Sequence, residues 1–388
     1  MKSNLCVMII YKSVVAILWY KEVEMEKKHL QRKHGIIVAM LLIVLLFYVV
    51  RQVGFWHHQP DEAMTERSPY GFTVLDDFTL QTVKRLEQLD VSWIRYQRNW
   101  HDIEPQRDQF NWQRLDAAVA LANANNIHMT FPIQGAPRWA LQQMCLGSRF
   151  LPTPSEVARF AAALAYRYNG TLGHGYIDAY EVGNEEYDIM LFDNENANLR
   201  ISLPCRDPNF YGPVLKASYE IIKKASPRAL IGMFGLWWEN KAHVTYFMSW
   251  LYMHGYGPFF DFANFHYYVC KEGPDTSSPT RPSFQQEWQL MHGVMAKYRD
   301  SRKPIWVTEI GWPTNSVWQS PSCVVSLHDQ ARDIEYVLNA AMQSHVIKKV
   351  FWYTIDRGDD GMSLTQTRGP LPGFYTFQRF VRRYPYWQ

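Results

Sequence analysis

The segment IDAYEVGNEE, residues 177–186, gives the clearest indication of the fold. It begins as a β-type run, in which successive side chains point to opposite faces, so Glu181, Gly183 and Glu185 share one face. Glycine and asparagine then end the run just before Glu185. The segment therefore predicts a strand that carries one carboxyl group at its C-terminal end.

Runs of this kind recur along the chain. Eight β-type runs alternate with eight stretches of helical periodicity between residues 69 and 388, the pattern of a parallel sheet covered by helices. About 320 residues in eight such units predict a (β/α)₈ barrel. A doubly wound open sheet is the alternative, but it expects a glycine-rich phosphate loop after the first strand, where residues 75–78 read LDDF. The predicted strands are 70–75, 91–97, 127–133, 177–182, 229–235, 262–268, 304–308 and 349–355, and the predicted helices are 80–89, 112–123, 154–168, 210–225, 241–253, 284–299, 327–344 and 374–382.

A second carboxyl group ends the seventh predicted strand, in the segment VTEIGWP over residues 307–313. In a barrel the C-terminal strand ends surround one mouth, so Glu309 is expected to face Glu185 across it. Glycosidic cleavage uses such a pair, one carboxyl protonating the leaving oxygen and the other attacking the anomeric carbon. For a lone glutamate at a strand end, a surface or salt-bridged side chain is the simpler interpretation.

The segments YEVGNE (180–185) and VTEIGWP (307–313) resemble the acid/base and nucleophile motifs of the clan A retaining glycoside hydrolases, which are (β/α)₈ enzymes. The resemblance implies that Glu185 is the acid/base, that Asn184 holds the sugar 2-hydroxyl, and that Glu309 is the nucleophile. Glu186 stands where many members have proline, but strand alternation favours Glu185 over it.

Supporting residues of the clan are also matched. Arg95 resembles the arginine that bonds the nucleophile and keeps it ionised, which predicts a lowered pKa for Glu309. His266 and Tyr268 resemble the His-x-Tyr pair whose tyrosine touches the nucleophile, and Trp352 resembles the platform beneath the cleaved sugar. The alternative for Arg95 is an ordinary ion pair. For His266 and Tyr268 it is a core histidine beside a packed tyrosine, and for Trp352 it is a packing role.

Within the clan, the segments QGAPRWA (134–140) and IEP (103–105) are most similar to glycoside hydrolase family 39 and its bacterial relatives associated with exopolysaccharides. Families 5 and 17 are also similar. The resemblance implies no metal and no cofactor.

The N-terminal part predicts a membrane anchor. Residues 36–50 are fifteen consecutive apolar residues, and extending the stretch to residue 56 approaches the ~20 residues of a spanning helix. Basic residues precede it, which predicts that residues 1–35 lie in the cytoplasm. A linker at 57–68 and the catalytic domain, 69–388, would then lie outside a bacterial inner membrane, in the periplasm or the extracellular space. A cleaved signal peptide is the alternative, but no small-x-small site follows. Residues 1–24 are interpreted as an extension ahead of a true start at Met25.

Four cysteines lie in the outer domain, and an oxidising compartment would allow them to pair. Each lies in a long loop after a predicted strand. We predict Cys145–Cys205 and Cys270–Cys323, because each pair joins loops that follow adjacent strands; four buried free thiols are the alternative.

Composition narrows the function further. The net charge is +3, but residues 1–35 hold seven lysines or arginines against three glutamates, which leaves −1 for the rest. Such a domain lacks a basic footprint for nucleic acid. We therefore expect a membrane-anchored retaining β-glycosidase, endo-acting on a secreted or cell-surface polysaccharide beside an export or synthesis complex. The alternatives are an exo-acting enzyme such as a β-xylosidase and a non-catalytic carbohydrate-binding or assembly subunit of a polysaccharide export system.

Overall fold

A computed structural model describes residues 68–146, 149–185, 208–236, 241–278, 281–316, 321–357 and 361–387. Within these residues eight parallel strands form one sheet, in the order β5-β4-β3-β2-β1-β8-β7-β6. The strands are β1 (Tyr70–Val74), β2 (Trp93–Tyr96), β3 (His128–Pro132), β4 (Ala179–Glu181), β5 (Leu230–Gly232), β6 (Ala263–Tyr268), β7 (Ile305–Gly311) and β8 (Ile347–Trp352).

A helix follows each strand, as the alternation predicts. Ser and Thr cap several of them; the Thr153 hydroxyl, for example, accepts from the Glu156 amide at the start of α3. The helices are α1 (Leu80–Leu89), α2 (Gln113–Ala124), α3 (Pro154–Arg167), α4 (Pro208–Ala225), α5 (Lys241–Met253), α6 (Phe284–Lys297), α7 (Leu327–Ser344) and α8 (Pro372–Arg383). Smaller elements are a short helix (Trp100–Ile103), a hairpin of Leu141–Leu146 with Arg149–Pro152, and a hairpin of Thr365–Gln366 with Gly369–Pro370.

The sheet closes on itself between β5 and β6. The Leu236 amide donates to the Asn264 carbonyl at 3.1 Å, and the His266 amide donates to the Leu236 carbonyl at 2.9 Å. Parallel bridges join Gly232 to Phe262 and Leu236 to Phe265. The barrel prediction is therefore confirmed in the described residues, and the doubly wound alternative is wrong.

Two layers fill the barrel interior. Its floor is aromatic: Trp306 stacks on Phe262 with ring centroids 3.9 Å apart, and Trp93 meets Trp306 edge to face. On β2, Arg95 follows Trp93 by two residues and so points inward one layer higher, while Ile94 and Tyr96 face the helices. The sequence thus places apolar packing at the floor and charge at the mouth.

Strand limits differ from the predictions by a few residues. β8 begins at Ile347, not 349, because its ladder with β7 starts at the pair Ile347–Ile305. Lys349 is buried despite its charge, since its ammonium group lies 4.3 Å from the Trp93 ring centroid. A lysine paired with an aromatic ring is compatible with a strand interior.

A disulfide joins Cys270 to Cys323, which confirms that prediction. It ties the segment after β6 to the segment after β7. The second predicted pair, Cys145–Cys205, lies outside what the structure describes, because Cys205 and the side chain of Cys145 are not covered.

None of the helices in the described part of the chain is both long and apolar enough to cross a membrane. The predicted anchor, residues 36–56, lies outside that part, as do residues 1–35 and nearly all of the predicted linker, 57–68.

Candidate active site

The two predicted catalytic glutamates come together at the mouth of the barrel. Glu185 follows β4, and Glu309 lies within β7. One carboxylate oxygen of Glu185 and one of Glu309 lie within 4.8 Å of each other. The Glu185 side chain is 24% exposed and the Glu309 side chain 6%, so Glu185 is the more open to solvent.

Local backbone geometry aims both carboxyl groups. Glu185 has φ 43°, a left-handed conformation that non-glycine residues seldom adopt. On β7 the pairing with β6 shifts, so that Phe265 faces Val307 while His266 faces Glu309. Such a bulge re-aims a side chain, here allowing Glu309 to reach the interior although Trp306 already points inward. Strict strand alternation could not foresee this bulge.

Arg95 links the site together from beneath. It is fully buried, and its Nη1 donates to Glu309 Oε1 at 2.5 Å while its Nη2 donates to Asn184 Oδ1 at 2.5 Å. Burial by itself would lower the pKa of Arg95, but the carboxylates of Glu181 and Glu309 outweigh burial. The pKa is raised above its ordinary value, and the guanidinium stays charged. The predicted contact between Arg95 and the candidate nucleophile is present.

Glu181 is a buried partner of Arg95 for which the sequence predicts no role. Its carboxylate accepts from Arg95 Nε at 2.8 Å and Nη2 at 3.2 Å, and from Asn264 Nδ2 at 3.0 Å. It was recognisable as an inward-facing acid on β4, but its dependence on Arg95 requires the three-dimensional barrel. Arg95 therefore pairs with Glu181 through two hydrogen bonds as well as with Glu309.

The predicted lowering of the Glu309 pKa is wrong. Burial raises the pKa of Glu309 above its ordinary value, and this outweighs the lowering by His266 and Arg95. Two features explain the difference: the carboxyl group is enclosed, and the neighbouring Glu185 raises its pKa further.

Tyr268 is the second hydrogen-bond donor to Glu309. Its hydroxyl donates to Glu309 Oε2 at 2.5 Å. Burial and the neighbouring Glu309 raise the pKa of Tyr268 well above its ordinary value, which keeps the phenol a donor. The two oxygens of Glu309 thus accept from different donors, Arg95 and Tyr268.

His266 lies between the two glutamates. Its Nδ1 is 3.0 Å from Glu185 Oε1 and 3.6 Å from Glu309 Oε2. Burial lowers the pKa of His266 to about 4, so the ring is neutral near pH 7 and shares a hydrogen bond between Nδ1 and Glu185. Its Nε2 is buried and has no hydrogen-bond partner among the described residues; it lies above Gly235, where an added Cβ would come within 2.1 Å.

The remaining predicted residues are placed but their roles stay predictions. The side chain of Asn184 is nearly buried, and its oxygen faces Arg95. Trp352 ends β8 with 1% exposure, its Nε1 donates to the Met362 carbonyl at 3.0 Å, and its ring lies beside Trp312. In this conformation Trp352 packs, with almost no ring surface open to a sugar.

The donor set does not suit a metal ion. Glu185, His266 and Glu309 each offer one ligand atom, all within 4.8 Å of one another. However, both oxygens of Glu309 already accept from Arg95 and Tyr268, and the buried guanidinium repels a cation. The arrangement instead suits a reaction in which a molecule bound between Glu185 and Glu309 exchanges a proton with one of the two carboxyl groups.

Comparisons with known proteins agree with this fold. A family model for β-galactosidases, glycoside hydrolase family 42, matches residues 72–146. A search of curated proteins gives no match. Among solved structures, a family 39 glycoside hydrolase from Bacteroides cellulosilyticus is similar, with a TM-score of 0.60 and 18% identity over 81% of this chain. The chain spans 64% of that enzyme's length.

Two further structures show the same fold. An enzyme described as GH5_18, from Streptomyces cattleya in complex with GlcNAc, has a TM-score of 0.58 and 17% identity over 82% of this chain and 80% of its own. Xylanase 10B from Thermotoga maritima has a TM-score of 0.54 and 14% identity over 84% of this chain and 98% of its own. At these identities the likeness establishes the fold. Together with the family model, it supports a clan A glycoside hydrolase, the class that the two motifs resemble.

Proposed function

We propose that this chain is a retaining β-glycosidase that works by double displacement. Glu309 attacks the anomeric carbon while Glu185 protonates the leaving oxygen, and Glu185 then takes a proton from the water that releases the sugar. The observation that carries the proposal is the pair of carboxylate oxygens within 4.8 Å at the mouth of the barrel. Carboxyl groups about 5 to 5.5 Å apart are typical of retaining enzymes, and this close approach of the two oxygens supports that class over the wider spacing of inverting ones.

The surroundings support this division of roles. Glu309 is enclosed and accepts from Arg95 and Tyr268, so both oxygens are held in a fixed orientation for attack. Glu185 is more exposed than Glu309 and is hydrogen-bonded to the neutral ring of His266, which suits a group that exchanges protons with water. His266, with a pKa of about 4, orients Glu185 and does not compete as the acid near neutral pH.

The proposal extends to the cellular setting. The basic flank and apolar stretch of the sequence support a single anchor at residues 36–56 and an outward-facing domain, and in that setting we propose endo action on a secreted or cell-surface polysaccharide. The disulfide between Cys270 and Cys323 supports an oxidising compartment, since such bonds persist outside the cytosol.

The experiment compares the full chain with Glu309→Gln and Glu185→Gln on a panel of β-linked oligo- and polysaccharides and on dinitrophenyl β-glycosides. Both variants should lose oligosaccharide cleavage. Only Glu185→Gln should retain the first step on dinitrophenyl glycosides, because that leaving group needs no protonation.

Two readouts give the outcome. Nuclear magnetic resonance of the first-formed product should show the β-anomer, and mass spectrometry of products from long chains should show oligosaccharides. First-formed α-anomer, or activity in Glu309→Gln equal to the unchanged protein, would refute the mechanism. Monosaccharides alone would refute endo action and favour the exo alternative, and glycan binding with no cleavage across the panel would favour the non-catalytic one.

A further inference from the structure

A chain of three side-chain amides leads away from the catalytic arginine. Arg95 Nη1 donates to Gln97 Oε1 at 3.3 Å, and Gln97 Nε2 donates to Gln134 Oε1 at 3.2 Å. Gln134 Nε2 then donates to Asn99 Oδ1 at 3.2 Å. The chain runs along the mouth of the barrel, where the segments after β2 and β3 are bridged at Asn99 and Gln134.

The first member fixes the direction of every bond. An arginine has five donors and no acceptor, so Gln97 must turn its oxygen toward Arg95. Its nitrogen then faces Gln134, whose oxygen must receive it, and the nitrogen of Gln134 must face the oxygen of Asn99. The polarity of Asn99 is therefore set by a charge three side chains away.

The outer end of the chain is a pair of N–H donors. Asn99 is half-buried, and in the described part of the chain its Nδ2 has no acceptor. Its side chain lies against Gly135, where an added Cβ would come within 2.6 Å of Asn99 Oδ1 and Cβ. Gly135 also has φ 63°, so both the contact with Asn99 and the left-handed backbone disfavour any residue with a side chain at this position. Asn99 is thus held in place with its donors turned to solvent.

We propose that Asn99 is a specificity-determining residue that donates to an acceptor oxygen of the sugar next to the one held between Glu185 and Glu309. The inference rests on the proposed glycosidase function. Asn99 follows Arg95 by four residues of extended chain, roughly 13 Å, which places it beyond the sugar that meets the nucleophile. The acceptor is a hydroxyl oxygen of a neutral sugar or a carboxylate oxygen of a uronic acid, and the variants below distinguish the two.

The sharpest test reverses the donor without touching Asn99. In Gln134→Glu one carboxylate oxygen still accepts from Gln97, but the other now faces Asn99 and requires its nitrogen. The Asn99 amide must then turn over and present its oxygen outward. A hydroxyl can reverse its own bond to meet that oxygen, whereas a carboxylate cannot.

The assay measures kcat/KM of the full chain on a cleaved oligosaccharide and on a dinitrophenyl monoglycoside too short to reach Asn99. Asn99→Ala should lower kcat/KM on the oligosaccharide about 5- to 30-fold, mainly through KM, and leave the monoglycoside within about twofold. If the recognised group is a carboxylate, Gln134→Glu and Asn99→Asp should lower kcat/KM on the oligosaccharide about tenfold more than Asn99→Ala does. If it is a hydroxyl, both variants should lower kcat/KM less than Asn99→Ala does. Asn339→Ala, on the outer face of the barrel in α7, is the matched control.

The outcomes separate this inference from the function beneath it. No cleavage of any glycoside by the unchanged chain would refute the proposed function. Cleavage with equal effects of Asn99→Ala on long and short substrates, or with no effect on either, would overturn the role of Asn99 alone. Thermal melting of each variant identifies one that fails to fold, and Asn99→Asp then supplies the same comparison as Gln134→Glu.

Discussion

Replacing Glu181 by glutamine should move the acid limb of the pH–rate profile to lower pH. Glu181 Oε1 lies 2.8 Å from Arg95 Nε, and Glu309 Oε1 lies 2.5 Å from Nη1 of the same guanidinium. With the width of a guanidinium between them, the two carboxylates lie within about 8 Å of each other. At an effective dielectric constant of about 20, their repulsion is about 2 kcal/mol.

Removal of the Glu181 charge should therefore lower the pKa of Glu309, because this repulsion is lost and Arg95 then pairs with one carboxylate instead of two. The ionised nucleophile would persist to lower pH. The assay is kcat/KM against pH on a dinitrophenyl β-glycoside, which reports the pKa of the free enzyme and needs no acid from Glu185.

Glu181→Asp is the matched control, because it keeps the charge; its acid limb should stay close to that of the unchanged protein. Thermal melting confirms that each variant is folded. A folded Glu181→Gln whose acid limb does not move would refute the reasoning, since either Glu181 is not coupled to Glu309 or the acid limb does not belong to Glu309.

Three further changes have defined outcomes. Tyr268→Phe removes a charge-assisted bond to Glu309 worth about 1.5–3 kcal/mol, so kcat/KM should fall roughly 10- to 150-fold, and an unchanged value would contradict its role. Gly235→Ala puts a Cβ within 2.1 Å of His266 Nε2, so activity and melting temperature should fall together; a crystal structure with an undisplaced ring would contradict this. Glu287 is buried, neither of its oxygens has a hydrogen-bond partner among the described residues, and burial raises its pKa, so the folded protein is least destabilised by it below about pH 4.5 and loses stability as pH rises. Glu287→Gln should therefore gain up to about 1.4 kcal/mol per pH unit over the unchanged chain above that pH, measured by denaturant unfolding, and no gain at pH 7 would contradict it.

The barrel itself was predictable from the sequence because its signals are local. Alternation within β4 fixed the direction of Glu181 and Glu185, and the apolar spacing of Leu86 and Leu89 marked the buried face of α1. The loop positions of Cys270 and Cys323 gave their pairing.

What the sequence could not give depends on contacts between distant strands. The bulge that aims Glu309 inward is a mismatch in pairing between β6 and β7, which neither strand reveals alone. The raised pKa of Glu309 reflects its enclosure and the neighbouring Glu185, which follows a different strand. The burial of Trp352 likewise follows from packing against Trp312.

The closure of the barrel between β5 and β6 has a consequence for heat inactivation. Among the described residues four backbone bonds cross that seam, two of them from the amides of Leu236 and His266, and we expect the ring to open there first. His266 sits on the seam and bonds Glu185, so a brief opening would disturb the acid/base before the rest of the domain loosens. Amide hydrogen exchange at these two residues would then run ahead of global unfolding, and activity on warming would decline while the remaining strands stay protected.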